Sequence, residues 1–295
     1  MEDRSVLERA ARPADAEMYF GDPRRPVIAL IHGGFWRPEY DLTHLRPMAS
    51  ALADLGWPVA LLEYTRIPGR PDLMVADIKR AMDSLPDDII VMGHSAGGHL
   101  ALWAAGYRAG LHGDNTSGPA TDGSAAGTVT SGPPGGSAAA GEAVATGAAG
   151  MAGGHAMGAS AAGNEASGEA GSGAAQTAAG REAMARQSEG PQVPVIALAP
   201  VADLELAREL NLDEGAVQDF LGDHSPEPYQ PAVSRATIIH GDDDVIVPVS
   251  VSERYLSRHV EGRLIRVPAA GHFALIDPHS EAWPVVIDEL NRLLA

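Results

Sequence analysis

The sequence predicts an α/β fold: a doubly wound, mostly parallel sheet with helices on its faces. Short runs of β-branched and aliphatic residues recur at 27–31, 59–62, 89–92, 195–198, 237–239 and 264–267. Most are continuous rather than alternating, which is the pattern of strands buried on both faces. Segments with helical spacing separate them. Strands alternating with helices form parallel sheets through crossover connections.

In chain order, residues 18–20 suit a short edge strand, and 27–31 (Val-Ile-Ala-Leu-Ile) a central one. Residues 42–55 set Leu42, Leu45, Met48/Ala49, Leu52 and Leu55 on one helical stripe. After the strand at 59–62, residues 72–85 place Leu73, Ala76/Asp77, Met82 and Leu85 on a less regular stripe. The strand at 89–92 runs into Gly93-His94-Ser95-Ala96-Gly97 and then a helix-forming segment, 99–105. Residues 203–231 do not return at once to the sheet. They hold a helix at 204–210, an amphipathic piece at 214–221 and a Gly/Pro-punctuated tail, a small cap over the carboxyl edge of the sheet. The final helix, 280–294, carries Pro284 in its early turn and aligns Trp283, Val286/Ile287, Leu290 and Leu294. No internal repeat is present.

From 110 to 190 the composition collapses to Ala, Gly, Ser, Thr and Pro. Residues 113–190 contain no Leu, Ile or aromatic residue. Such a stretch buries too little apolar surface to offset the entropy of ordering it, so a disordered insertion is expected there. The predicted organisation is one domain, 1–109 and 191–295, interrupted by this insertion. The roughly 210 residues outside it suffice for a substantial core.

The net charge is −18, only part of it in the insertion. That acidity argues against nucleic acid or an anionic membrane as partner. There is no cysteine, which removes disulfides and thiolate nucleophiles. The charged start Met1-Glu2-Asp3-Arg4 has no apolar run behind it, and no run approaches the ~20 residues of a membrane span. The expected compartment is the cytoplasm. Nothing in the sequence fixes an oligomeric state.

Ligands of doubly wound sheets sit beyond the carboxyl ends of the strands. Four of those ends carry chemistry. His32-Gly33-Gly34-Phe35-Trp36 follows the first central strand, and the Ser95 turn follows 89–92. His240-Gly241-Asp242-Asp243-Asp244 follows 237–239, and Gly271-His272-Phe273 lies just past the last strand. A serine pushed out on a strained Gly-x-Ser-x-Gly turn is a nucleophile, and it needs a base, an orienting acid and backbone donors for the oxyanion. Ser95 is the candidate nucleophile and His272 the candidate base, with His279 as runner-up at the start of the last helix. His94, inside the turn, and His99, one helical turn on, read as structural. The acid is one of Asp242, Asp243 or Asp244, with Asp203 a distant alternative. The triple Asp lacks the alternating oxygens and downstream Glu of a calcium loop, so no metal is expected. Ala96, the residue after the nucleophile, supplies one oxyanion N–H, and the Gly-rich loop supplies the others. Glu63 and Tyr64 end another strand, and a tyrosine there reads as structural.

The order Ser…Asp…His, carried by HGGFW (32–36), GHSAGG (93–98), HGDDDVIVP (240–248) and AGHF (270–273), resembles the α/β-hydrolase family over nearly the whole chain outside the insertion. The HGG-x-W loop is similar to that of kynurenine-formamidase-like members and related carboxylesterases. The resemblance implies Ser95 as nucleophile, His272 as base and Asp244 as the acid selected by H-G-x-x-D-x-x-V-P. It also implies oxyanion donors at Gly34, Phe35 and Ala96. Trp36 lines an acyl pocket or only packs its own loop. No cofactor is implied. The activity implied is hydrolysis of a small carboxylic ester or amide, with N-formylkynurenine as the specific alternative. The non-catalytic alternative is a binding protein of this fold, which would be expected to lack a member of the triad; here all three are present.

Overall fold

The computed structural model describes residues 16–112, 192–259 and 261–294. All of these belong to one compact unit built from both ends of the chain. From residue 113 on, the insertion expected at 110–190 lies outside the described residues.

Seven strands form one sheet in the order β1-β3-β2-β4-β5-β6-β7. They are β1 (Glu17–Tyr19), β2 (Val27–Ile31), β3 (Val59–Leu62), β4 (Ile89–His94), β5 (Val195–Leu198), β6 (Arg235–Gly241) and β7 (Glu261–Val267). Only β1 is antiparallel, pairing with β3 at one edge. The register sets Ile31 beside Gly93, His94 beside Leu198, Leu198 beside Ile239 and Gly241 beside Val267. The carboxyl ends of β2, β4, β5, β6 and β7 are therefore neighbours, and the loops that follow them share one rim.

The helices are α1 (Arg46–Asp54), α2 (Pro71–Ser84), α3 (Ala96–Arg108), α4 (Leu204–Glu209), α5 (Ala216–Leu221), α6 (Val249–His259) and α7 (Trp283–Arg292). They divide between the faces. Ala29 and Ile31 of β2 join the core under α2, α3, α6 and the 203–231 segment. Ile28 and Leu30 join the core under α1 and α7. Each aliphatic side chain so buried is worth about 1.5–3 kcal/mol. This two-sided burial is why the strand runs are continuous in sequence.

Several expected boundaries shift, for local reasons. The helix expected from 42 divides into a 3-10 turn, Leu42–Leu45, and α1. Pro47 has no N–H to donate one turn back, so it is accommodated only in a first turn, and α1 begins beside it. In α2 the buried stripe is Pro71, Met74, Val75, Ile78 and Met82, not the stripe through Leu73 and Ala76. Asp77 joins it because its carboxylate accepts the Thr65 N–H at 2.8 Å. The last helix starts at Trp283 rather than 280, again with its proline in the first turn, and Leu294 is exposed rather than on the buried stripe. The helix α6 has no counterpart in the sequence prediction; its Val-Ser-Val-Ser start has weak helical propensity.

Candidate active site

Ser95 follows β4 directly and caps the amino end of α3, with φ 58° and ψ −120°. That conformation is costly for any residue with a Cβ. The surroundings enforce it. The Ser95 N–H donates to Leu198 O at 2.8 Å, and its carbonyl accepts from the His99 N–H (3.1 Å) and the Val201 N–H (3.2 Å). The flanking glycines are required by contact: a Cβ on Gly97 would collide with the carbonyl oxygens of Ile31 and His32, and one on Gly93 with that of Gly97. The turn therefore places Ser95 at a helix amino terminus, where the aligned N–H groups favour negative charge.

His272 is buried, and its Nδ1–H donates to Asp244 Oδ2 at 2.6 Å. The other carboxylate oxygen of Asp244 accepts the N–H groups of Ile246 and Val247, each at 2.9 Å. His240 Nε2 lies 3.3 Å from Oδ2. Burial opposes ionisation of Asp244, but the hydrogen bonds from His240 and His272 and the backbone outweigh it, holding the carboxyl well below the usual carboxylate range. Of the three aspartates, only Asp244 is buried. Asp242 is drawn outward to Arg266 at 2.6 Å.

The His272 loop is fastened to the Ser95 turn through His94, whose Nε2–H donates to His272 O at 3.0 Å. The two rings lie 4.5 Å apart. Burial, reinforced by the neighbouring His272, pushes the His94 imidazole well below its ordinary value, so it stays neutral.

The loop after β2 coils through three successive left-handed residues, Gly34 (φ 105°), Phe35 (φ 48°) and Trp36 (φ 59°). Successive N–H groups in such a turn form an anion-binding concavity. A Cβ on Gly33 would sit 3.0 Å from Ser95 Cβ, so this loop lies directly against Ser95. Trp36 is 3% exposed, stacks on Phe220 of α5 (4.4 Å, 19°) and meets His99 edge-on at 5.2 Å. The next residue, Arg37, pairs with Asp213 between α4 and α5 at 2.5 Å and with Asp219 of α5 at 3.2 Å. The 203–231 segment is thereby docked on the loop.

A family model described as the alpha/beta hydrolase family matches residues 28–283. The chain belongs to the alpha/beta hydrolase family. It is 36% identical over 92 residues to the probable carboxylic ester hydrolase LipM of Mycobacterium tuberculosis, covering 27% of this chain and 21% of that protein. It is 31% identical over 93 residues to esterase LipQ of the same organism, covering 28% and 22%. The chain thus spans about a fifth of the length of these relatives. Among solved structures it resembles Thermogutta terrifontis esterase 2 (TM-score 0.54, 17% identity, 96% of this chain and 91% of that one). It also resembles the acetyl ester-xyloside bifunctional hydrolase of Caldicellulosiruptor lactoaceticus (TM-score 0.54, 20% identity, 100% and 94%).

In this alpha/beta hydrolase the remaining candidates have other partners than His272 and Asp244. His279 is exposed in the turn before α7. Asp203 caps α4 through Leu206 N–H (2.8 Å) and pairs with Arg254 at 2.9 Å. His99 donates to Tyr229 O at 2.8 Å, and Tyr64 to His32 O at 2.9 Å. The sequence reading gave no role to His240 or His32. His240 stands in the same motif as Asp244, four residues before it, and that spacing was the available signal. Among the described residues no group of three or more His, Asp or Glu side chains is arranged to hold a metal ion, and no helix is long and apolar enough to cross a membrane.

Proposed function

We propose that the chain is a serine hydrolase of small carboxylic esters, with Ser95, His272 and Asp244 as its catalytic triad. The observation that carries this reading is the 2.6 Å bond from His272 Nδ1 to Asp244, on the rim where the strained Ser95 turn also lies. Asp244 fixes the tautomer that leaves Nε2 free to take the Ser95 proton. Attack on the ester carbonyl makes a tetrahedral oxyanion, received by the N–H groups of Gly34, Phe35 and Ala96. His272 then protonates the leaving alcohol, and water, deprotonated by the same imidazole, releases the acid. The buried stack of Trp36 on Phe220 forms the wall that selects the acyl or alcohol group. The esterase relatives support the same class of substrate.

A fluorophosphonate probe should label the protein and fail on Ser95→Ala. An unlabelled but folded wild type overturns the hydrolase reading in favour of a binding protein. Short p-nitrophenyl esters should be turned over faster than N-formylkynurenine. The reverse order would make the HGGFW loop the mark of an arylformamidase.

A further inference from the structure

We propose that His32, charged and clamped by Glu63, is a positioning residue that aims the Gly34 N–H into the oxyanion hole. The catalytic consequence rests on the hydrolase reading; the geometry stands without it. His32 is fully buried just past β2. Its Nδ1 lies 2.8 Å from Gly33 O, and its Nε2 lies 2.7 Å from Glu63 Oε1. Arg66 Nη1 also lies 3.4 Å from Nε2, but its two protons go to Glu63 Oε1 and Tyr64 O; a carbonyl and a carboxylate only accept, so we assign a proton to both ring nitrogens, an imidazolium.

The rest of the cluster is built around that charge. Glu63 stands just past β3, and its Oε1 also accepts the Tyr64 N–H at 2.8 Å and the Arg66 Nη1. Arg66, 3% exposed, donates in addition to Tyr64 O at 2.8 Å. Burial alone would raise the Glu63 carboxyl; the His32 hydrogen bond and the His32 and Arg66 charges bring it below its ordinary value. Tyr64 stacks on the His32 ring (4.3 Å, 10°) and donates its hydroxyl to His32 O. His44 meets the ring edge-on at 5.9 Å, with its own imidazole pushed down by burial and by His32. Asp41 nearby has its carboxyl held below the ordinary value against the effect of its burial, first by hydrogen bonds from the Thr43 side chain and N–H and then by the smaller pull of the Arg66 and His32 charges. His32 is therefore held on its face, at both nitrogens and at its backbone.

The link to catalysis is the peptide between Gly33 and Gly34. In a trans peptide the C=O and the following N–H point in opposite directions. Pinning Gly33 O to the imidazolium therefore turns the Gly34 N–H away from it, toward the nucleophile against which Gly33 is packed. A charged donor on Gly33 O also polarises that peptide, making the Gly34 N–H the stronger donor.

The two amide replacements of histidine separate the two nitrogens. Asparagine places its N–H where Nδ1 stood, and glutamine places it where Nε2 stood. With p-nitrophenyl acetate, H32Q should lower kcat about 10–100-fold with KM within about twofold, as for a misaligned oxyanion donor. H32N should recover most of that loss. Equal loss in both variants, or a loss confined to KM, overturns the proposal. A second measurement needs no turnover: in protein labelled with 15N-histidine, the wild-type His32 ring should show two N–H protons, and E63Q should reduce them to one. A ring with a single N–H in the wild type overturns the clamp even if esters are hydrolysed. A wild type silent to both ester and fluorophosphonate overturns the hydrolase reading, while the proton count still decides the clamp.

Discussion

Ser95 holds a side chain in a backbone conformation that glycine would occupy at lower energy, and strain of this kind is of the order of 1–3 kcal/mol. Ser95→Gly should therefore raise the unfolding free energy in urea by about 1 kcal/mol while abolishing hydrolysis. Ser95→Ala should abolish hydrolysis with no such gain. Equal stabilities of the two variants would show that the turn stores no strain. The acid admits an equally direct test. Asp244→Asn keeps the size of the group but removes the charge that fixes the His272 tautomer, and kcat should fall about 10³–10⁴-fold. Its folded carboxyl is held below the ordinary value. Its contribution to stability is therefore fully present above the unfolded value near 3.8 and is lost as pH falls through the lower folded one. The variant should unfold with a weaker dependence on pH than wild type in acid, as read by the urea midpoint below pH 4. An unchanged acid profile would mean that the carboxylate is not engaged as described.

At the scale of elements, α3 is joined to the 203–231 cap through the buried imidazole of His99, and His112 stacks on Trp103 of the same helix. Burial pushes the His99 ring down to about 4 while its Nε2–H holds Tyr229 O, and burial with the Lys79 charge pushes His112 down to about 4. Between pH 6.5 and 4 these two imidazoles bind more protons in the unfolded chain than in the folded one, so their contribution to stability should drop as pH falls across that window and level off below it. His99→Gln retains a donor near Nε2 and removes one titration. Its melting temperature should fall less steeply from pH 7 to 4.5, and a slope equal to wild type would contradict the buried neutral ring. The cap also contains the left-handed residues Asn211, Asp213 and Glu214, and Arg37 holds Asp213 by its carboxylate and its carbonyl. Arg37→Ala should accelerate amide exchange in 203–222 without changing exchange in β4 or β5; uniform exchange would mean that Arg37 does not latch the cap. The strands were legible in the sequence because two-sided burial demands continuous apolar runs, and the Ser95 turn because packing demands its two glycines. The helix α6 was not, since its burial of Val251, Ser252 and Tyr255 overrides weak local propensity. The His32–Glu63 contact was not either: residues 31 positions apart meet only because β3 lies beside β2, and sheet order is not written in any local pattern.

At the scale of the whole molecule, the Ser95 turn and the long Ala/Gly-rich stretch share the connection from β4 to β5, with α3 between them. The parallel pairing of β4 and β5 means that α3 must run back from the rim holding Ser95 to the opposite edge, where β5 begins. The chain leaves the described residues shortly after the end of α3 and re-enters just before β5. The described residues that flank the stretch, His112 and Gln192, therefore lie toward the edge away from Ser95, His272 and Asp244. Loop-closure entropy grows only logarithmically with length, so replacing a stretch of this size by a short linker changes the closure term by about 1–2 kcal/mol, and in the stabilising direction. We expect a variant in which 115–188 is replaced by a six-residue Gly/Ser linker to fold and to hydrolyse p-nitrophenyl acetate with kcat/KM within about threefold of wild type. Its melting temperature should be equal or slightly higher. Loss of hydrolysis in a folded deletion variant would mean that residues 115–188 take part in the site, and would overturn the assignment of catalysis to the rim of the sheet alone.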